Sequence, residues 1–262
     1  MPELPEAEAN RRRVEAHCLN RTIGRVVLGN DTKHVELPTE EERDALTGRQ
    51  FTETRRHGKL IFAGSSTGPW IAVHLGMSGS LRPWDADDGP PDYARITFEF
   101  EGDRRLSFRC PRKLGWVNVT DDPDAYVAGR GFGPDALKIG RDTFRDVIGS
   151  SKGALKSALI QQKKLAGIGN LWSDEILYRT GLMPDATGTD LSEAKLDEIF
   201  DQMHAVLDAV SDTDMDYSKL PDDWLIHHRK AGDDCPRCGG TIAKKTVGGR
   251  TAYHCPDHQG AA

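Results

Sequence analysis

The last thirty residues restrict the fold more than any other stretch of the chain. They read Cys235-Pro-Arg-Cys238, then sixteen residues, then Cys255-Pro-Asp-His258. Two such knuckles, separated by a short run of Lys, Thr, Val and Gly, offer four soft or borderline ligands at the spacing of a tetrahedral Zn2+ site. With all four positions filled by protein groups, a metal there holds the fold and takes no part in chemistry. A tail of this size has little core of its own, so one structural zinc per chain is expected to stabilise it. The competing reading is two unrelated thiol pairs. Clustering argues against it, since of five cysteines only Cys18 and Cys110 lie elsewhere.

A length of 262 residues leaves room for two modest domains. No apolar segment follows a basic start, and no window approaches the length of apolar run a membrane span needs. The expectation is a cytoplasmic protein with no membrane partner, in a reducing compartment where clustered cysteines bind metal rather than pair. The net charge of −6 argues mildly against a polyanionic partner when averaged over the chain. The acids, however, gather at 40–44, 85–88, 121–124 and 212–216, and the bases at 11–13, 55–59, 109–113, 152–164 and 244–250. Each run alone is ordinarily a solvated surface, yet their separation is compatible with a basic face.

Periodicity changes twice along the chain. Residues 7–18 have few helix breakers and place Val14 and Cys18 one turn apart, which predicts a leading helix with Glu3 and Glu6 near its positive end. Residues 95–100 alternate at Ile96, Phe98 and Phe100, Glu101-Gly102-Asp103 turns the chain, and Leu106, Phe108 and Cys110 alternate again, predicting a β-hairpin. With strand patterns at 59–63 and 70–75, residues 20–120 read as an antiparallel sandwich or barrel. Residues 121–135, rich in Asp, Pro and Gly, read as a linker. Beyond it Leu196, Ile199, Phe200, Met203, Leu207 and Val210 share one face of a helix that Ser192 can cap, a stripe that reads as helix core. Two helical patterns between 155 and 182 are joined by Leu165-Ala-Gly-Ile-Gly-Asn170, whose free N–H groups would suit a phosphate. The expected class is α+β with several domains: a sandwich at 1–120, the linker, a helical domain at 136–228, and the metal-bound hairpin at 229–262.

The first six residues, Met-Pro-Glu-Leu-Pro-Glu, carry the chemistry. Removal of Met1 would leave the secondary amine of Pro2 beside the carboxylate of Glu3. An α-amino group has a reference pKa of about 7.7–8.0, so an unprotonated fraction is available to attack an electrophilic carbon near neutral pH. A proline nitrogen on an aldehyde-like carbon gives an iminium, an electron sink. For an arbitrary Met-Pro start, an unstructured terminus is the ordinary reading.

With these pieces in place, the chain resembles the formamidopyrimidine-DNA glycosylase and endonuclease VIII family from end to end, most closely the formamidopyrimidine branch. The resemblance rests on the Pro-Glu-Leu-Pro-Glu start, His74-Leu-Gly-Met77-Ser-Gly, Phe132-Gly-Pro-Asp-Ala-Leu137, the run around Ala166-Gly-Ile-Gly-Asn170, and Arg250 ahead of the Cys255 knuckle. It implies a helix-two-turns-helix motif at 155–181, a C-terminal zinc finger, and a base-excision-repair DNA glycosylase and abasic-site lyase acting on oxidised bases in double-stranded DNA. Such an enzyme is expected to be a monomer associated with the nucleoid. By the same resemblance Pro2 is the nucleophile, Glu3 the proton-transfer carboxylate, Lys59 a catalytic cation from the sandwich, and Arg250 a phosphate clamp assisting strand scission. Met77, Arg112 and Leu114 fill the hole left by the everted base. Lys152, Lys156 and Asn170 grip phosphates, Glu6 lines the lesion pocket, and Cys235, Cys238, Cys255 and His258 hold the zinc.

The sequence departs from the family pattern at four places. Leu114 stands where Phe is usual, His258 where a fourth cysteine is usual, and Asp92-Tyr93 where a DNA-contacting histidine is common. Residues 211–234 are short and acidic, without the glycine-rich stretch that typically caps an everted 8-oxoguanine. Oxidised purines and oxidised pyrimidines therefore both stand as substrates. Two other classes compete: a lesion- or abasic-site-binding protein with little turnover, and an unrelated N-terminal-proline enzyme for small carbonyl compounds. Retained Pro2, Glu3 and Lys59 argue against the first, and the phosphate-gripping pair and wedge residues against the second. The acidic loops suggest adaptation to a salty cytoplasm, which predicts DNA cleavage that persists well above physiological salt. A rate falling monotonically from low salt, as counterion release alone dictates, would count against it.

Overall fold

The computed structural model describes residues 1–260 and divides into two compact units. Residues 1–2 and 6–131 form one, and Glu3–Pro5 with the chain from Phe132 onward form the other. In chain order the first unit contains α1 (Leu4–Cys18), β1 (Ile23–Leu28), α2 (Glu40–Leu46), β2 (Glu53–His57), β3 (Leu60–Gly64), β4 (Trp70–His74), β5 (Ser80–Asp85), β6 (Ala94–Phe100), β7 (Arg104–Arg109), β8 (Trp116–Thr120) and α3 (Pro123–Gly129).

The eight strands make two antiparallel sheets, ordered β1-β6-β7-β5 and β2-β3-β4-β8. Alternate residues face inward from both, Ile96, Phe98, Leu106 and Phe108 from one sheet and Ile61, Ala63, Ile71, Val73 and Val117 from the other, and they share one buried core. This is the expected sandwich, and the hairpin predicted at 95–110 is the β6–β7 pair. Helix α1 adds Ala7, Val14 and Cys18 to the same core. Its Asn10 spans the junction, donating to Glu6 O (2.7 Å) and accepting from Leu81 N (2.7 Å).

Half of the stretch 121–135, expected as a linker, is helix α3. Asp122 caps α3, its carboxylate accepting from the N–H groups of Asp124 (2.8 Å) and Ala125 (3.3 Å), with Pro123 in the first turn. Tyr126 then packs edge-on against buried Phe62 and donates to Asn118 Oδ1 at 2.6 Å. Asp and Pro are as much the signature of a helix start as of a linker. The division between the units falls at Gly131 and Phe132.

The second unit contains α4 (Arg141–Gly149), α5 (Leu155–Ile160), α6 (Asn170–Arg179), α7 (Glu193–Ser211), β9 (Ala243–Val247) and β10 (Arg250–His254). The stripe predicted on α7 is buried with Phe144, Ile148, Leu159, Trp172 and Ile176, and the Ser192 hydroxyl caps that helix by accepting from Lys195 N (3.3 Å). Between α5 and α6, Gln162 stitches the connection, donating to the carbonyls of Ile160 and Ile168 (2.8 Å each) and accepting from Gly167 N (3.1 Å). Residues 212–228 lie down on this core: Leu220 and Trp224 are buried, Tyr217 meets Trp172 edge-on, and Leu225 and Ile226 donate their N–H groups to Glu175. Burial pushes the Glu175 carboxyl up to about 7, against the pull of those two donors.

The metal-ligand tail does not stand alone. Cys235, Ile242 and Cys255 pack with Tyr178 of α6 and with Leu225. A buried ion cluster adds to that contact. Asp174 on α6 accepts from Lys156 Nζ (2.5 Å), from Arg229 Nη2 (2.7 Å) and from the N–H of Tyr253 on β10 (3.2 Å). The fully buried ammonium of Lys156 uses its other two donors on Asn170 O and Ser173 Oγ, both at 3.0 Å. Burial pushes this lysine below its ordinary range while Asp174 pulls it back. Removing the anion leaves the buried Lys156 ammonium unpaired and facing the half-buried Arg229 guanidinium, so Asp174→Ala should cost about 3–5 kcal/mol in urea unfolding. Asp185→Ala, which breaks an exposed pair with Lys245, should cost under about 1 kcal/mol. Equal costs would show that Asp174 is not the keystone.

Candidate active site

Strand register gathers several of the expected residues at one end of the β2-β3-β4-β8 sheet. Gly58-Lys59 turns β2 into β3, the 75–77 segment leaves β4, and the 111–115 segment leads into β8. His57 pairs with Leu60, Leu60 with His74, and His74 with Trp116, so all three connections emerge at the same edge. Helix α1 runs antiparallel to β2, because Glu8 pairs with Arg56 (3.3 Å) and Arg11, one turn later, donates to Thr54 (2.6 Å). Its amino end, which Pro2 precedes, is therefore directed toward the edge that carries Lys59.

His74 organises that edge. Its ring stacks on Trp116 with centroids 4.1 Å apart, and its Nδ1 accepts the N–H of Gly76 at 3.1 Å. An accepting Nδ1 requires an unprotonated nitrogen, and burial first, then the charges of Lys59 and Arg130, push His74 down to about 4. Gly76 has φ +63°, and a Cβ on it would sit 2.4 Å from the carbonyl carbon of Leu114. Glycine thus lets the two loops touch through their backbones. They present Met77 (38% exposed) and Leu114 (51% exposed) together with exposed Arg112. Among the described residues Arg112 makes no side-chain hydrogen bond or ion pair. Two bare apolar side chains and an unengaged cation on neighbouring loops suit insertion into a stacked polymer. In the sequence His74 is only the first residue of His74-Leu-Gly-Met77, and nothing there marks its ring as the support of this turn.

Glu3 belongs to the second unit, where its buried carboxylate closes the start of α6. One oxygen accepts from Gly169 N (2.6 Å) and Trp172 N (3.3 Å), and the other from Leu171 N (2.8 Å). Leu4 N donates to Gly167 O (3.0 Å). A Cβ on Gly169 would lie 2.4 Å from the Glu3 carboxyl carbon, so only glycine admits the contact. These donors were expected to be free for a phosphate. They are taken, because a carboxylate already occupies the positive end of the helix. At the same helix start, Asn170 Oδ1 is buried with no hydrogen-bond partner.

Lys156 is a further correction. It was expected at a phosphate, but its ammonium is enclosed by Asp174, Ser173 and Asn170 O and reaches no surface. Lys152 is exposed, Glu6 is buried within α1, and Arg250 is exposed beside the Gly248-Gly249 turn. The Sγ atoms of Cys235, Cys238 and Cys255 lie within 4.8 Å of one another. His258 is not in that cluster. Its Nε2 lies 2.9 Å from the carbonyl oxygen of Tyr178, against whose ring it packs.

Comparison with known proteins agrees with this geometry. A family model described as the formamidopyrimidine-DNA glycosylase N-terminal domain matches residues 1–117, and one described as the formamidopyrimidine-DNA glycosylase H2TH domain matches residues 131–220. The formamidopyrimidine-DNA glycosylase of Geobacter metallireducens is 30% identical over 266 residues, covering 98% of each chain. That of Roseiflexus sp. is 31% identical over 272 residues, covering 99% of this chain and 100% of the relative. Among solved structures, Lactococcus lactis formamidopyrimidine-DNA glycosylase non-covalently bound to DNA containing an AP site superposes with a TM-score of 0.85 at 25% identity, over 98% of this chain and 99% of that one. MutM in complex with DNA containing carbocyclic 8-oxo-G gives 0.86 at 26% identity over the same shares.

The His74 arrangement has a measurable consequence. Between pH 6.5 and about 4 the unfolded ring carries a proton that the folded ring refuses, so stability should fall as pH drops through that window. In an NMR titration the His74 imidazole should stay neutral down to about pH 5, half-protonating near 4. A midpoint near 6.5 would mean that Nδ1 does not hold the Gly76 turn.

Proposed function

The chain belongs to the formamidopyrimidine-DNA glycosylase family, DNA N-glycosylases of base-excision repair with AP-lyase activity, and on that premise we propose which of its residues carry out the reaction. The observation that carries the proposal is the carboxylate of Glu3, fixed by three backbone donors directly beside Pro2 in the chain. A general acid or base must be held in place to be effective, and this one has no rotamer to spare.

Damaged double-stranded DNA is the partner. The target nucleotide rotates out of the stack, at a cost of a few kcal/mol. Met77, Arg112 and Leu114 enter the gap. The Pro2 nitrogen, freed by loss of Met1, attacks C1′ of the everted deoxyribose. The glycosidic bond breaks and the base leaves with a proton, while Glu3 transfers protons as the sugar ring opens and the C1′–nitrogen bond becomes an iminium. The iminium acidifies C2′, and loss of that proton expels the 3′ phosphate. A second elimination expels the 5′ phosphate. Lys59 supports the sugar chemistry from the β2–β3 turn, Arg250 clamps phosphate from the hairpin tip, Lys152 and Asn170 contact phosphates, and Glu6 borders the pocket.

Cys235, Cys238, Cys255 and His258 suit one zinc ion. A carbonyl can only accept, so the contact with Tyr178 O assigns the proton of His258 to Nε2 and leaves the lone pair on Nδ1. Three clustered thiols and one imidazole in the ligating tautomer make a closed set, and bound zinc would stiffen the hairpin that carries Arg250. The protein acts as a monomer in the cytoplasm, at the nucleoid.

Borohydride trapping tests the reaction and names the lesion. Duplexes carrying an abasic site, 8-oxoguanine, formamidopyrimidine or an oxidised pyrimidine are offered to the wild type, Pro2→Gly and Glu3→Gln. Wild type should give a covalent adduct, Pro2→Gly almost none, and Glu3→Gln base release slowed by about 10²-fold or more. The lesion giving most adduct identifies the substrate. Retained binding to abasic DNA with no adduct would replace the lyase by a lesion-binding protein.

A further inference from the structure

The loop that carries Arg112 and Leu114 is held by a device outside the residues assigned above. Among the described residues, 112–114 make one side-chain hydrogen bond or ion pair, between Lys113 Nζ and Asp31 Oδ1. Lys113 and Asp31 both have left-handed backbone, with φ +54° and +58°. Such a conformation in a non-glycine residue persists only where its surroundings impose it. The backbone at Asp31 and just ahead of Lys113 is held by Arg95, whose side chain is 3% exposed.

Arg95 reaches the roots of both loops at once. Its Nη1 donates to Asp31 O (2.7 Å) and Asn30 O (3.2 Å), its Nε to Cys110 O (3.0 Å), and its Nη2 to Pro111 O (3.5 Å). Nη1 also lies 3.5 Å from the Asp31 carboxylate. The rigid guanidinium fork therefore sets the distance between the 30–31 and 110–111 backbones. Asp31 then extends this fixed frame outward to Lys113. Arg112 and Leu114 flank Lys113, and peptide planarity ties the positions of all three together.

We propose that Arg95, Asp31 and Lys113 form a clamp that sets how the Arg112 and Leu114 side chains are presented to the duplex, and thereby sets preference for the base opposite the lesion. They are positioning residues, since none touches the reacting atoms. The proposal rests on the reading that this loop enters the DNA. It also explains how a Leu at position 114 can serve: an aliphatic tip has no flat face to orient it by stacking, so orientation must come from the loop beneath.

The test measures binding without turnover. Full-length wild type, Asp31→Asn, Lys113→Met, the double variant and Lys113→Arg are titrated with duplexes carrying a tetrahydrofuran abasic-site analogue opposite C, A, G or T. Asn tolerates the left-handed backbone of residue 31 and removes only the charge. Wild type should discriminate among the four. Asp31→Asn and Lys113→Met should reduce the ratio of best to worst affinity on the order of tenfold, with no further loss in the double variant. Lys113→Arg should restore the ratio, and melting temperature and borohydride trapping on an abasic duplex should stay at wild-type levels.

An unchanged ratio in the single variants would overturn the proposal. So would parallel weakening on all four duplexes, which is what a merely structural role produces, or a wild type with no preference. Failure of wild type to trap would instead remove the lyase reading, and the binding ratios would still decide the clamp.

Discussion

The structure depends on one carboxylate sitting on three peptide N–H groups. A helix start has unsatisfied donors and a positive end, and α6 satisfies its own with Glu3, a residue 166 positions from Gly169 in the chain. The contact has no slack, because glycine at 169 is the only residue type that lets the carboxylate approach. Glu3 therefore cannot be displaced without uncapping α6, and α6 carries Trp172, Asp174, Glu175, Ile176 and Tyr178 on its buried faces. The carboxylate of Glu3 and a central helix of the second unit are stabilised by the same three bonds. That coupling also bears on Pro2, the proposed nucleophile, since a residue next to a rigid anchor has few positions available to it.

Charge works in two opposite ways in this chain, and solvation separates them. Lys156 and Arg229 are cations spent on Asp174, inside the protein, where losing any partner leaves a desolvated charge. Arg112, Lys152 and Arg250 are cations left at the surface, and Arg112 has no side-chain partner among the described residues. Only the second kind is available to a polyanion. The neutral ring of His74 follows the same logic in reverse. It is half-buried near Lys59 and Arg130, and a protonated imidazole there would add a third positive charge while losing its bond from Gly76.

Much of this was legible in the residues, for physical reasons. Strand alternation at 95–110 and the stripe on α7 report burial directly, and burial decides fold. The clustered thiols were legible because paired knuckles at that spacing match tetrahedral coordination and little else. The misreadings share one cause, which is that sequence shows a group's chemistry but not its partner. Lys156 looks like any basic residue near a turn, and only the fold reveals that Asp174, eighteen residues later, has taken it. The N–H groups of 169–172 look free until Glu3 arrives from the other end of the chain. Asp122 and Pro123 look like a linker because a helix cap uses the same residues. For His258 the spacing shows a place beside the knuckle but not the tautomer, which its Nε2 contact with the carbonyl of Tyr178 sets.

Reaction and recognition are built from different materials here, and this sets what can vary. On the proposed assignment the reaction rests on backbone: donors of α6, the glycine beneath Glu3, the start of α1. Changing any of these disturbs the fold, so departures there are costly. On the same assignment recognition rests on exposed side chains at loop tips, Met77, Arg112 and Leu114, whose replacement removes little buried area. Leu in place of an aromatic at 114 gives up a stacking surface worth about 1–3 kcal/mol per base where stacking is used, yet leaves the core untouched. The segment after α7 follows the same division. Its Leu220 and Trp224 are buried and its Leu225 and Ile226 amides are tied to Glu175, so it is committed to packing rather than held ready to close over a base. On the proposed assignment, selectivity for the lesion must then come from elsewhere, including the base left behind in the duplex, which the Arg112 and Leu114 loop is proposed to contact.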